Sequence, residues 1–95
     1  MRLLKAARGH RCQICGHSFR MRNGDTYTEA HHLDHLANGG LDVSRNMIIV
    51  CANHHRMFHF GDAEIIEHTV DTLVVRLLDE VYTVSLTFER PTLFG

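Results

Sequence analysis

The sequence predicts an α+β domain: a small metal-stapled core of helices and strands, followed by an antiparallel β-meander. Three observations lead there. Cys12-Gln13-Ile14-Cys15 and Cys51-Ala52-Asn53-His54 are two knuckles of metal-ligand spacing, separated by a long insert. Six of the nine histidines fall between Glu29 and His59. Beyond Gly61 the chain becomes a series of β-rich runs with short polar separators.

Ninety-five residues suffice for one domain with one modest core. We therefore expect a single domain over 1–95, with a metal core over about 10–61 and a meander over about 64–89. The formal charge of −1 gives no strong overall field to attract nucleic acid. Charge is nevertheless clustered: Arg2, Lys5, Arg8, Arg11, Arg20 and Arg22 are six of the ten basic residues, and only Asp25 is acidic before Glu29. That N-terminal stretch is a candidate phosphate-facing surface. Three cysteines, an odd number, argue against a disulfide framework. With no apolar leader, and no apolar run near the ~18 residues of a membrane span, a reducing cytoplasm is the expected compartment and no membrane is involved.

Residues 2–8 are strong helix formers ended by Gly9. Cys12 to Gly16 reads as a tight knuckle, with Gly16 turning the chain so that both thiolates face one ion. Residues 17–25 read as loop, with Asn23-Gly24-Asp25 as a turn. Thr26–Leu33 is rich in β-formers and predicts one strand. Asp34–Arg45, with Asn38-Gly39-Gly40, is a long polar loop, and Asn46–Val50 a buried strand. A helix is expected from Ala52 or Asn53 to Phe60, with Asn53 as its N-cap and Gly61 at its end. Glu64–Thr69, Leu73–Leu78 and Val81–Glu89 are the meander strands. In the last of these Tyr82, Val84, Leu86 and Phe88 alternate with polar residues, the pattern of a half-buried strand.

Two groups of residues carry chemistry. Cys12, Cys15, Cys51 and His54 fit a closed, four-coordinate structural Zn²⁺, because soft thiolates select zinc over Mg²⁺ or Ca²⁺. His10 and His17 flank the first knuckle as rivals to His54 for the fourth position. The second group is His31, His32, Asn46, His55 and His59. On a helix His55 and His59 are i and i+4, one face, while His54 is rotated from His55 by about 100° and is free to serve the other ion. His31 and His32 would face opposite ways in a regular strand, so for both to serve one cleft the strand must end or bulge there. The remaining histidines His35 and His68 read as surface residues.

These residues in this order, Glu29-Ala30-His31-His32, then Gly39-Gly40, then Asn46, then Cys51-x-x-His54-His55-x-x-x-His59, resemble the HNH (ββα-metal) endonuclease family. The match covers roughly residues 10–61. The histidine spacing is close to that of the colicin-type DNase toxins, and the cysteines resemble those of bacterial and phage enzymes, including modification-dependent restriction enzymes. The common family form after the second strand is C-x-x-C-H; here His54 stands at the second cysteine.

The resemblance implies a one-metal hydrolysis of DNA phosphodiesters. His31, His55 and His59 would hold one divalent cation, His32 would be the general base, and Asn46 or its backbone would orient the His32 ring. Glu29 would either accept the second N–H of His31 or sit exposed on its strand, and Arg56 would either meet phosphate or lie on the solvated face. Imidazoles suit Zn²⁺, Ni²⁺, Mn²⁺ or Co²⁺, whereas the family is often supported by Mg²⁺ or Mn²⁺. DNA is the expected partner, and the meander is a candidate contact with a second copy or a larger parent protein. The rival reading is a zinc-stabilised nucleic-acid-binding module without catalysis.

Overall fold

The computed structural model describes residues 2–33 and 46–86. The expected loop Asp34–Arg45, which contains His35, and the expected strand end at Phe88 and Glu89 lie outside the described residues. The elements are α1 (Arg2–Ala7), β1 (Phe19–Arg20), β2 (Thr26–Tyr27), β3 (Glu29–His32), β4 (Met47–Val50), α2 (Ala52–Phe60), β5 (Ala63–His68), β6 (Thr72–Leu77) and β7 (Glu80–Ser85). All strand pairs are antiparallel: β1 with β2, β3 with β4, and β5-β6-β7 as a three-stranded sheet.

The β4 strand organises the core. Met47, Ile48, Ile49 and Val50 are all buried, and alternate side chains of a strand point to opposite faces. Ile48 and Val50 join Leu73, Val75, Val84 and Leu86 of the meander together with Cys12 and Cys51. Met47 and Ile49 face Leu4 of α1. The meander and the cysteine knuckle thus share one apolar cluster. In the last run Val84 and Leu86 are inward, as the sequence alternation predicts, and Leu73, Val75 and Leu77 of β6 are buried with them.

Four expectations are corrected. The run 26–33 is two strands: Tyr27 pairs with Phe19 in a hairpin whose turn holds Gly24 at φ +95°, and pairing passes to β4 at Glu29. Residues 17–25 consequently include strand β1 where loop was expected. The N-cap of α2 is Cys51, whose thiol accepts the His54 backbone N–H, while Asn53 lies inside the helix with its amide toward the Met57 sulfur. The turn between β6 and β7 is Leu78-Asp79, one residue earlier than expected. At the other end of α2 Gly61 is required by space, since a Cβ there would stand 2.7 Å from the Met57 carbonyl oxygen.

The basic N-terminal stretch is partly committed to the fold. Arg8 is buried, 2 % exposed; its guanidinium donates to Gln13 Oε1 (2.7 Å), the Met47 carbonyl (3.2 Å) and the Leu86 carbonyl (2.7 Å). Lys5 Nζ donates to the Thr28 carbonyl at 2.6 Å. Arg11, Arg20 and Arg22 remain exposed. Arg8→Ala is expected to cost about 3 kcal/mol, the scale of removing a charged donor from buried acceptors. Urea denaturation measures it, and a midpoint equal to the parent's would refute it. Among the described residues no helix is long and apolar enough to cross a membrane.

Two candidate metal centres

The first centre lies where the Cys12–Cys15 knuckle meets the start of α2. The ligand atoms of Cys12, Cys15, Cys51 and His54 all fall within 4.8 Å of one another. Cys51 Sγ is 3.3 Å and Cys12 Sγ 3.6 Å from His54 Nδ1, and Cys15 Sγ is 3.9 Å from Cys51 Sγ. Tetrahedral zinc, with bonds near 2.3 Å to sulfur and 2.0–2.1 Å to nitrogen, would place such atoms roughly 3.6–3.8 Å apart. The donor set and its spacing therefore fit that ion. Backbone N–H groups of Ile14 and Cys15 point at Cys12 Sγ, that of His17 at Cys15 Sγ, and that of His54 at Cys51 Sγ, at 3.4–3.5 Å. Such donors offset the negative charge of clustered thiolates. Gly16, at φ +78°, supplies the left-handed turn that closes the knuckle. His54, and neither His10 nor His17, joins the thiols; His17 contributes backbone, its carbonyl accepting the Cys12 N–H.

Electrostatics separate the thiols. Although Cys15 lies at the surface, desolvation of its sulfur on the side facing the cluster pushes the thiol up to about 11, with neighbouring Cys12 and Cys51 adding to the rise. Burial acts in the same direction on Cys12, but the N–H groups around its sulfur outweigh it and hold the thiol below its ordinary value. Burial also keeps the His54 imidazole below its ordinary value, in the neutral form that can ligate. A binding ion must displace the Cys15 proton at neutral pH, so affinity falls as pH falls.

The second centre lies between β3 and α2. The ring nitrogens of His31, His55 and His59 fall within 4.8 Å of one another, and His55 Nε2 and His59 Nε2 are 3.1 Å apart. His31 is buried against Phe58, with ring centroids 4.7 Å apart. Glu29 is half-buried, and its carboxylate reaches α2: Glu29 Oε1 meets His55 Nδ1 at 2.6 Å. The reason is geometric. Glu29 and His31 are alternate residues about 6.6 Å apart along one face of β3, so each reaches across to α2. A carboxylate can only accept, so Nδ1 of His55 carries a proton, which leaves Nε2, 3.1 Å from His59 Nε2, as the atom available to a metal ion.

His32 is the last residue of β3 and half-buried. Because the strand ends there, it lines the same cleft of about 190 Å³ as His31, Leu33, Phe58 and His59. Asn46 is buried directly before β4, and its carbonyl accepts the Leu33 N–H at 2.8 Å, next to His32. A second cleft of about 420 Å³, on the other side of His59, is lined by Tyr27, Glu29, His55, Arg56 and Phe60. Arg56 is exposed there.

Tyr27 was not singled out from the sequence, although Tyr27, Glu29 and His31 alternate in one β-rich run. Its hydroxyl donates to Glu29 Oε2. This hydrogen bond, and secondly His55, hold the Glu29 carboxyl below its ordinary value of 4.5. The anion's contribution to stability is thus complete above that value and is lost as pH falls through the lowered one. The ¹³C shift of the Glu29 carboxyl should titrate with a midpoint below 4.5 and move upward in Tyr27→Phe; a midpoint unmoved by that substitution would contradict the assignment.

The fold and the two clusters define a small α+β domain with two groups of side chains able to hold metal ions. A family model described as HNH endonuclease matches residues 12–61. The chain belongs to the HNH endonuclease family. It is 37% identical over 52 residues to the type IV methyl-directed restriction enzyme EcoKMcrA of Escherichia coli K12, across 53% of this chain and 19% of that protein. It is also similar to the solved structure of the modification dependent TagI restriction endonuclease. There the TM-score is 0.69 at 30% identity, over 92% of this chain and 30% of the other. The chain therefore spans a fifth to a third of the length of these relatives.

Proposed function

We propose that this chain is the cleavage domain of a metal-dependent DNA endonuclease that hydrolyses phosphodiester bonds. The observation that carries the reading is the convergence of His31, His55 and His59 beside His32, with Glu29 fixing the His55 ring. In this reading β3, β4 and α2 form the ββα-metal core of one domain, with the core over about 10–61 and the meander over about 64–89. Cys12, Cys15, Cys51 and His54 hold a structural Zn²⁺. His31, His55 and His59 bind one divalent cation, of which Mg²⁺, Mn²⁺, Ni²⁺ and Zn²⁺ are the candidates.

When bound, that cation supplies Lewis-acid stabilisation of charge on the phosphate and the departing oxygen. The chain's own groups do the rest. His32 takes a proton from the attacking water on a ring nitrogen, a task suited to an imidazole at neutral pH. Asn46 fixes the end of β3 through its carbonyl and so holds His32 facing the cleft. Arg56, exposed beside the ligand helix, meets the phosphate backbone.

The relatives' names, methyl-directed and modification dependent, support a parent protein in which other segments read modified bases and this domain cuts. Exposed Ile65, Ile66 and Val81 on the meander favour that sheet as the contact with the parent or a second copy. The test is nicking of methylated and unmethylated plasmid by the zinc-loaded protein with each candidate metal. Metal-dependent nicks ending in 5′-phosphate and 3′-hydroxyl are expected. A folded, zinc-loaded protein that binds DNA yet fails to cut it with any of these metals would replace this reading with the binding module.

A further inference from the structure

We propose that Tyr27 is a positioning residue for the histidine cluster: its hydroxyl anchors Glu29, which fixes the His55 ring with Nε2 toward His31 and His59. The inference rests on the reading of those three histidines as ion-binding. Its parts are in series. Tyr27 Oη donates to Glu29 Oε2, the second carboxylate oxygen accepts from His55 Nδ1 at 2.6 Å, and His55 Nε2 lies 3.1 Å from His59 Nε2.

The tyrosine is itself held from the far side. Its ring stacks on Phe19, with centroids 5.1 Å apart and planes 19° apart, and these two residues are register partners of the β1-β2 hairpin. That hairpin leaves the cysteine knuckle two residues after His17. A carboxylate held at one oxygen can swing about its Cγ–Cδ bond; held at both, it presents Oε1 in one direction. Tyr27 therefore restricts Glu29, and Glu29 selects one tautomer of His55. Each member is individually ordinary; the consequence lies in their order, phenol to carboxylate to imidazole to ion.

The test uses the chain with zinc at the cysteine site and Co²⁺ titrated into the histidine site, followed by its visible absorption. Tyr27→Phe should weaken Co²⁺ binding about 10-fold, and Glu29→Ala more, within the 10–100-fold usual for groups that support metal ligands. The double variant should bind Co²⁺ no more weakly than Glu29→Ala, because the two residues act through one path. Ring ¹⁵N shifts of His55 before Co²⁺ is added should show the Nδ1–H form in the parent and a tautomer mixture in Glu29→Ala. Parent-like Co²⁺ affinity in Tyr27→Phe, or a Tyr27→Phe loss that persists in the Glu29→Ala background, overturns the proposal. A parent that binds Co²⁺ at the histidines and shows the expected losses, yet nicks no DNA, supports the relay and overturns the catalytic reading.

Discussion

Replacing His32 with alanine is expected to reduce plasmid nicking by a factor of roughly 10²–10⁴, the usual contribution of a positioned general base. The ion content of both clusters should be unchanged. The expectation follows from placement. His32 lines the cleft beside His31 and His59, yet the histidine group that converges within 4.8 Å is His31, His55 and His59. A base that is no ligand can be removed without loosening the ion. Nicking kinetics with metal analysis of the same sample checks both halves, and added imidazole should restore part of the rate. Equal cleavage by parent and variant would remove His32 from the mechanism; loss of one bound ion would make it a ligand.

Stripping the zinc should have the largest effect on the fold. Structural zinc contributes apparent binding energies of ~10–16 kcal/mol near neutral pH, against a total of about 5–15 kcal/mol for a domain. Here the site is part of the apolar core, since Cys12 and Cys51 pack with Ile48, Val50, Leu73 and Val75. Cys51 also caps α2, so its loss removes a ligand and frays the helix carrying His54, His55 and His59. Cys51→Ala, which removes both the thiolate and the cap, or chelation of the wild-type chain, is expected to abolish the cooperative thermal transition seen by circular dichroism. Cys15→Ser, at an exposed position, should be the milder variant. A zinc-free chain that keeps the parent's melting temperature would overturn the structural role.

What could be read beforehand was whatever has a short-range signature. Cys12 and Cys15 are linked by spacing, His55 and His59 by one helical turn, and the last meander strand by its alternation; the structure brings each pair into one cluster and buries Val84 and Leu86. What could not be read depends on partners distant in sequence. Nothing local in the run 26–33 says that its first two residues pair backward with Phe19 and Arg20, and Glu29–His32 forward with β4. Glu29 looked to His31 because the two are neighbours in sequence, and nothing local showed that its carboxylate also reaches His55, 26 residues away. Arg8 counted as a surface cation until its three acceptors, 5, 39 and 78 residues distant, drew it into the core.

One short segment feeds both ion sites. Cys51 and His54 turn toward the thiols while His55, the next residue, turns toward His31 and His59. Ions held at the two proposed sites would both depend on the pose of that single helical turn. Thermodynamic linkage makes this mutual: if zinc at the cysteines tightens the histidine site by some factor, an ion at the histidines must tighten zinc by that same factor. Cofactor supply and nuclease competence would then be two views of one equilibrium, with a starved protein losing its cutting site and its scaffold together.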